Sequence, residues 1–136
     1  MLPFSFLYRF PDDDACWTFL ERVLWPTGPA CPTCDNVGDA APWKPRRHRW
    51  QCRACGKQFH VVQETALAGT HISMHTWFTA IYLRAKYPRL SSAELSRQLG
   101  IRERTVSSMR SRIDRMLIED KSLIVKILEA AEDYTG

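Results

Sequence analysis

Cys31-Pro32-Thr33-Cys34 and Cys52-Arg53-Ala54-Cys55 enclose an insert of 17 residues, positions 35–51. Two C-x2-C pairs at this separation have the spacing of a ribbon-type zinc site. Each pair sets two thiolates on one edge of a tetrahedron, and the insert folds back to bring the two edges together. Cys31, Cys34, Cys52 and Cys55 are therefore the expected ligands of one Zn2+. Four thiolates leave no open coordination position, so this zinc is expected to be structural and not catalytic. A rubredoxin-like iron centre uses similar knuckles, but a dense basic insert suits a polyanion better than electron transfer.

The turn chemistry agrees with this reading. Gly56 follows the second pair, where a knuckle needs a permissive backbone, and Asp35-Asn36 follows the first. Trp43, Trp50, Phe59 and Val61 offer apolar positions for short strands. Trp43-Lys-Pro-Arg-Arg-His-Arg-Trp50 interleaves aromatics with cations and reads as a hairpin arm. Lys44, Arg46, Arg47 and Arg49 are its expected phosphate contacts, with His48 as a further one.

The net charge of +4 is unevenly distributed. Residues 41–60 hold six basic side chains and no acid, and residues 84–118 carry a net +6. Solvated surface charge would mix signs within each block, and residues 41–60 show no mixing, so the clustered charge points to a polyanionic partner. The fifth cysteine, Cys16, lies in an apolar stretch and reads as a small buried side chain. An odd cysteine count with paired knuckles fits a reducing compartment. Nothing approaches the roughly 20 apolar residues of a membrane span, and the N-terminus lacks the basic region of a signal peptide. The expected location is the cytoplasm, on the nucleoid.

Outside the ribbon the periodicity is helical. A helix is expected over about residues 12–25, with Asp12 as its cap and Asp13 and Asp14 favourable to its dipole. A second is expected over 73–87, ended by Pro88, with a broad aromatic face. Ser91-Ser-Ala-Glu94 forms a possible capping box. A final helix over 119–133 carries Leu123, Ile124, Ile127, Leu128 and Ala131 on one face, which closes the core or pairs two copies into a homodimer. His71 and His75 are four apart, but a helix starting near Ser73 leaves His71 outside it, so they are not expected to bind metal.

Between these helices, Ala93 to Arg110 looks like a helix-turn-helix. Leu95, Leu99, Ile101, Val106 and Met109 take the packing positions and Gly100 the turn. Ser96 stands where a small alanine is commonest. On the second helix, Val106, Met109, Ile113 and Leu117 cluster on one side, and Arg104, Ser108, Ser111 and Arg115 lie opposite, flanked by Ser107 and Arg112. Small serines allow close approach to a major groove, and arginines reach guanine edges or phosphates. Arg102, Arg104, Ser107 and Ser108 are the expected base contacts. Arg110, Arg112 and Arg115 are the expected phosphate contacts, with Ser111 on the same face.

The order Phe10-Pro-Asp-Asp-Asp14, Trp25-Pro26, Cys31-Pro-x-Cys34, Arg49-Trp-Gln-Cys-Arg-Ala-Cys-Gly-Lys-Gln-Phe59 and Trp77-Phe-x-Ala-Ile-Tyr82, followed by the helix-turn-helix, resembles the transposase zinc-ribbon family. The resemblance spans about residues 10–118. It implies a DNA-binding part of bacterial insertion-sequence transposases, normally followed by an RNase-H-like domain that cuts and joins strands. This sequence ends at Gly136, where that domain would begin, so nuclease activity is not carried over.

The expected fold is therefore mainly α with a small β zinc ribbon. The expected divisions are an N-terminal helix packing on the ribbon (1–28), the ribbon (29–63), a helical helix-turn-helix domain (71–118) and a C-terminal helix (119–136). The expected function is non-enzymatic, sequence-specific binding of double-stranded DNA, with no membrane and no small-molecule substrate. The role is transcription regulation or transposon-end binding. Zinc knuckles and basic aromatic loops also hold RNA or single strands, and the last helix could serve a protein-interaction adaptor.

Overall fold

Phe6, Phe10, Trp77, Phe78 and Tyr82 bury most of the aromatic surface outside the ribbon, and their packing decides how the helices assemble. The computed structural model describes residues 2–132. It divides into two compact units, Met1–Asp13 with His71–Gly136, and Asp14–Thr70. In chain order the elements are α1 (Phe4–Arg9), α2 (Asp13–Leu24), β1 (Ala40–Pro42), β2 (Trp50–Cys52), β3 (Gln58–Phe59), α3 (Met74–Lys86), α4 (Ser92–Leu99), α5 (Glu103–Glu119) and α6 (Ser122–Glu132).

The first unit is helical, with α3 at its centre. Met74 and every residue from Trp77 to Leu83 are buried. Ser73 starts the helix by accepting the Thr76 N–H. The His75 N–H is taken by the Asp13 carboxylate at 3.1 Å, and the His75 ring bonds the Phe10 carbonyl at 2.9 Å. His75 is thus a structural side chain.

α1 has no periodic signal in the sequence. It is six residues long and is held by packing rather than propensity. The Phe6 ring lies 5.4 Å from Tyr82, and Phe10 meets Phe78 edge-on at 4.9 Å. This packing is why residues 1–13 join the helical unit, although a single N-terminal segment on the ribbon was expected. α6 joins the same unit, packing against α1 and α3. Leu123, Ile124, Ile127 and Ala131 are buried there, so these residues of the apolar stripe close the core of the helical unit. Its expected end at Asp133 lies outside the described residues.

α4 and α5 meet through a tight turn. Gly100 takes the left-handed conformation at φ 69°, which glycine adopts without strain. Ser91 caps α4 through the Glu94 N–H and donates its hydroxyl to the Glu94 carboxylate, each at 3.1 Å. Leu95, Val106, Met109 and Ile113 are buried. Leu99 and Ile101 are half-buried. Arg84 ties α3 to α5 by two hydrogen bonds to Asp114, at 2.9 and 3.2 Å.

The second unit is α2 with a three-stranded antiparallel sheet in the order β1-β2-β3. Ala40 pairs with Cys52, Pro42 with Trp50, and Trp50 with Phe59. Trp43 stands just past β1, its N–H bonded to the Arg49 carbonyl at 2.8 Å, so residues 43–49 close a hairpin as expected. Cys31, Cys52 and Phe59 form a small buried cluster against Trp25, Ala40 and Trp50. Among the described residues no helix is long and apolar enough to cross a membrane.

Candidate metal centre and nucleic-acid interface

The two knuckles have the same hydrogen bonds. The Asp35 N–H donates to the Cys31 carbonyl and the Gly56 N–H to the Cys52 carbonyl, both at 2.9 Å. The Cys31 N–H returns to Asn36 and the Cys52 N–H to Lys57, again at 2.9 Å. Each turn needs a left-handed residue after its second cysteine. Asp35 supplies it at φ 62° and Gly56 at φ 79°.

These turns aim all four sulfurs at one point. Cys31 Sγ lies 3.6 Å from Cys55 Sγ, and Cys34 Sγ lies 3.6 Å from Cys52 Sγ. All four fall within 4.8 Å of one another. A tetrahedron with Zn–S bonds of about 2.3 Å has edges of about 3.8 Å, so the set fits one zinc without rearrangement. Cys31, Cys34, Cys52 and Cys55 hold a structural zinc.

The thiols hold their protons unequally. Burial disfavours the Cys31 thiolate, but the N–H groups of Cys34 and Thr33 and the neighbouring thiols outweigh it and bring Cys31 down to about 7. The Asn36 N–H favours the Cys34 thiolate, yet burial and the adjoining thiols push Cys34 up to about 12. Metal binding must therefore expel protons, and it strengthens as pH rises. Arg53 approaches Asp39 at 4.0 Å with both side chains largely exposed, a weak contact beside the centre.

The hairpin arm is fastened to α2. His48 Nε2 lies 2.6 Å from Asp14 Oδ1, and His48 Nδ1 lies 3.1 Å from Glu21 Oε1. Trp50 Nε1 donates to Glu21 Oε2 at 2.8 Å. The Trp17 ring stacks on His48 with centroids 5.9 Å apart. Arg47 adds an ion pair to Asp14 at 2.7 Å. The Asp14 carboxyl is held below its ordinary 3.8, first by the His48 hydrogen bond; burial opposes this, and Arg47 adds to the lowering. This contribution is complete above the ordinary carboxylate value and is lost as pH falls through the lowered one.

His48 was expected on phosphate, but only 13 % of its side chain is exposed and both its nitrogens are engaged. Arg47 is exposed but paired. Lys44, Arg46 and Arg49 have no side-chain hydrogen-bond or ion-pair partner among the described residues. The brace was not read from the sequence, although Asp14, Trp17 and Glu21 share one face of α2 and precede a loop with no acid of its own. Asp14, expected only to favour the helix dipole, is a member of this brace.

On α5, Arg104, Ser107, Ser108, Ser111 and Arg115 are exposed together, with Arg102 at its N-cap. Arg102, Arg104 and Arg115 have no side-chain partner among the described residues. The Ser107 hydroxyl reaches Ser92 at 3.4 Å, and Ser111 bonds the Ser107 carbonyl at 3.2 Å. Arg112 departs from expectation. It is half-buried with its guanidinium 5.8 Å over the Trp77 ring, on the core side of the helix and not on the open face. Arg110 is likewise half-buried and donates to Ser92 at 2.9 Å.

Residues 11–58 match the family model described as the transposase zinc-ribbon domain. No curated protein and no solved structure matches the chain.

Proposed function

From the transposase zinc-ribbon domain formed by residues 11–58, we propose that this chain binds double-stranded DNA in a sequence-specific way and does not cut it. The exposed face of α5 reads bases through Arg102, Arg104, Ser107 and Ser108, and Arg115 meets phosphate. Lys44, Arg46 and Arg49 grip the backbone. The role is that of a transcription regulator or a transposon-end-binding protein on the bacterial nucleoid.

The observation that carries this reading is the pairing of unpartnered arginines with small exposed serines on one face of a helix set after a tight turn. Such a face approaches a groove closely and offers arginine donors that no protein group among the described residues already satisfies. The occupied brace around His48 supports the same reading for the hairpin, because it leaves three cations unpaired.

Competition tests it. Zinc-loaded protein on a labelled duplex is expected to be displaced by unlabelled duplex at far lower concentration than by single-stranded DNA or RNA of the same sequence. Equal displacement by single strands would overturn the duplex reading in favour of stacking on exposed aromatics. No nicked product is expected with Mg2+.

A further inference from the structure

His48 faces a carboxylate on each side. Ionised carboxylates only accept hydrogen bonds, so a ring nitrogen at 2.6 Å from Asp14 and another at 3.1 Å from Glu21 must both carry hydrogens. A neutral imidazole has a single N–H. The arrangement is therefore complete only with the imidazolium, and the Trp17 face stacked on the ring favours a cation there. The backbone agrees: His48 sits at φ 63°, a left-handed conformation that is costly for a side chain with a Cβ and persists where surrounding contacts enforce it.

We propose that the His48 imidazolium is the clasp that holds the 43–49 hairpin in its phosphate-gripping shape, so that polyanion binding by the ribbon is switched off by deprotonation of this one residue. The inference rests on the function proposed above, and it adds a positioning residue and a regulation to it. His48 acts through the loop and does not touch the nucleic acid.

The groups that bear on the ring are few. Asp14 and Glu21 face it from α2 with Trp17 between them. Trp50 reaches the same Glu21 carboxylate from β2 at 2.8 Å, and Arg47 of the loop itself pairs with Asp14. Arg46 and Arg49 lie on the loop to either side. Loss of the ring proton leaves one N–H bond and sets the other nitrogen's lone pair against a carboxylate oxygen. The remaining contact and the Arg47 pair, which is solvent-exposed, are too weak to hold a left-handed turn against that repulsion. Lys44, Arg46 and Arg49 then lose their common presentation.

Glu21→Gln separates this mechanism from every other effect of pH. Its amide oxygen still accepts from Trp50 Nε1, while its NH2 donates to a neutral His48 nitrogen. The clasp is then complete without the imidazolium. The other histidines, the thiols and the arginines are unchanged by the substitution.

The test measures binding of zinc-loaded full chain to a random-sequence duplex against salt, from about pH 5 to about pH 9. In the unsubstituted chain the slope of log K against log salt is expected to lose about 2 to 3 units as pH rises, since each phosphate contact contributes about 0.9. In Glu21→Gln the slope is expected to stay constant. A pH-independent slope in the unsubstituted chain, or an equal fall in both, would overturn the proposal. A nitrogen-15 correlation spectrum of the His48 ring reads the clasp without nucleic acid. Two protonated nitrogens at the acidic end and one at the basic end are expected, and a single tautomer throughout would overturn it. If the ring shows both states but no duplex is bound at any pH, the proposed function fails, and the switch with it, while the clasp geometry stands.

Discussion

Removing zinc with a strong chelator, or replacing Cys52 by Ser, is expected to abolish the ordered ribbon over residues 30–59 while leaving α3 to α6 helical. The ribbon's buried cluster consists of Cys31, Cys52 and Phe59 with three half-buried neighbours, and two of those three buried residues are metal ligands. So small a cluster cannot by itself offset the conformational entropy lost on ordering the ribbon. Zinc on four thiolates supplies about 10–16 kcal/mol, the difference between an ordered and a disordered ribbon. The helical unit has its own core from Phe6 to Ala131 and no share in the metal. Amide spectra of the chelated protein should show collapse of the ribbon resonances and retention of those in α3, α5 and α6. Readdition of Zn2+ should restore the ribbon to the unsubstituted chain but not to Cys52→Ser. Retained ribbon order after metal removal would show that the fold does not depend on the metal.

Ile127→Glu is expected to unfold the helical unit. Ile127 is fully buried in α6, beside Ile124 and Ala131. A carboxylate placed in this apolar core costs several kcal/mol, in addition to the lost apolar contact. Domains of this size have about 5–15 kcal/mol in all. Thermal melting of the zinc-loaded variant should show loss of the cooperative helical transition, with ribbon signals kept. A folded variant with altered oligomeric state would instead place the stripe at an interface between two copies.

The legible parts of this chain were the local ones. A knuckle is defined by four consecutive positions and the residue after them, so Cys31, Cys52, Asp35 and Gly56 announced both turns. The Ser91 cap and the Gly100 turn are likewise settled within a few residues of chain. The exposed stripe of α5 followed from helical period alone, except at Arg112, which a neighbouring helix draws inward through Trp77. What escaped depended on partners far away in sequence. The His48 clasp joins positions 27 and 34 residues apart. α1 exists because Phe6 and Phe10 find Tyr82 and Phe78. The stripe on α6 was visible, but an amphipathic pattern says only that a face is covered and not by what.

Selection of binding sites from a random duplex pool, run in parallel with the zinc-loaded chain and with Arg104→Ala, tests the central claim most directly. A sharp motif is expected, with the substitution relaxing preference at one position by about 1–3 kcal/mol and leaving the rest intact. Salt-sensitive binding with no enriched motif, unchanged by Arg104→Ala, would contradict base reading by α5 and leave only electrostatic attraction to the backbone.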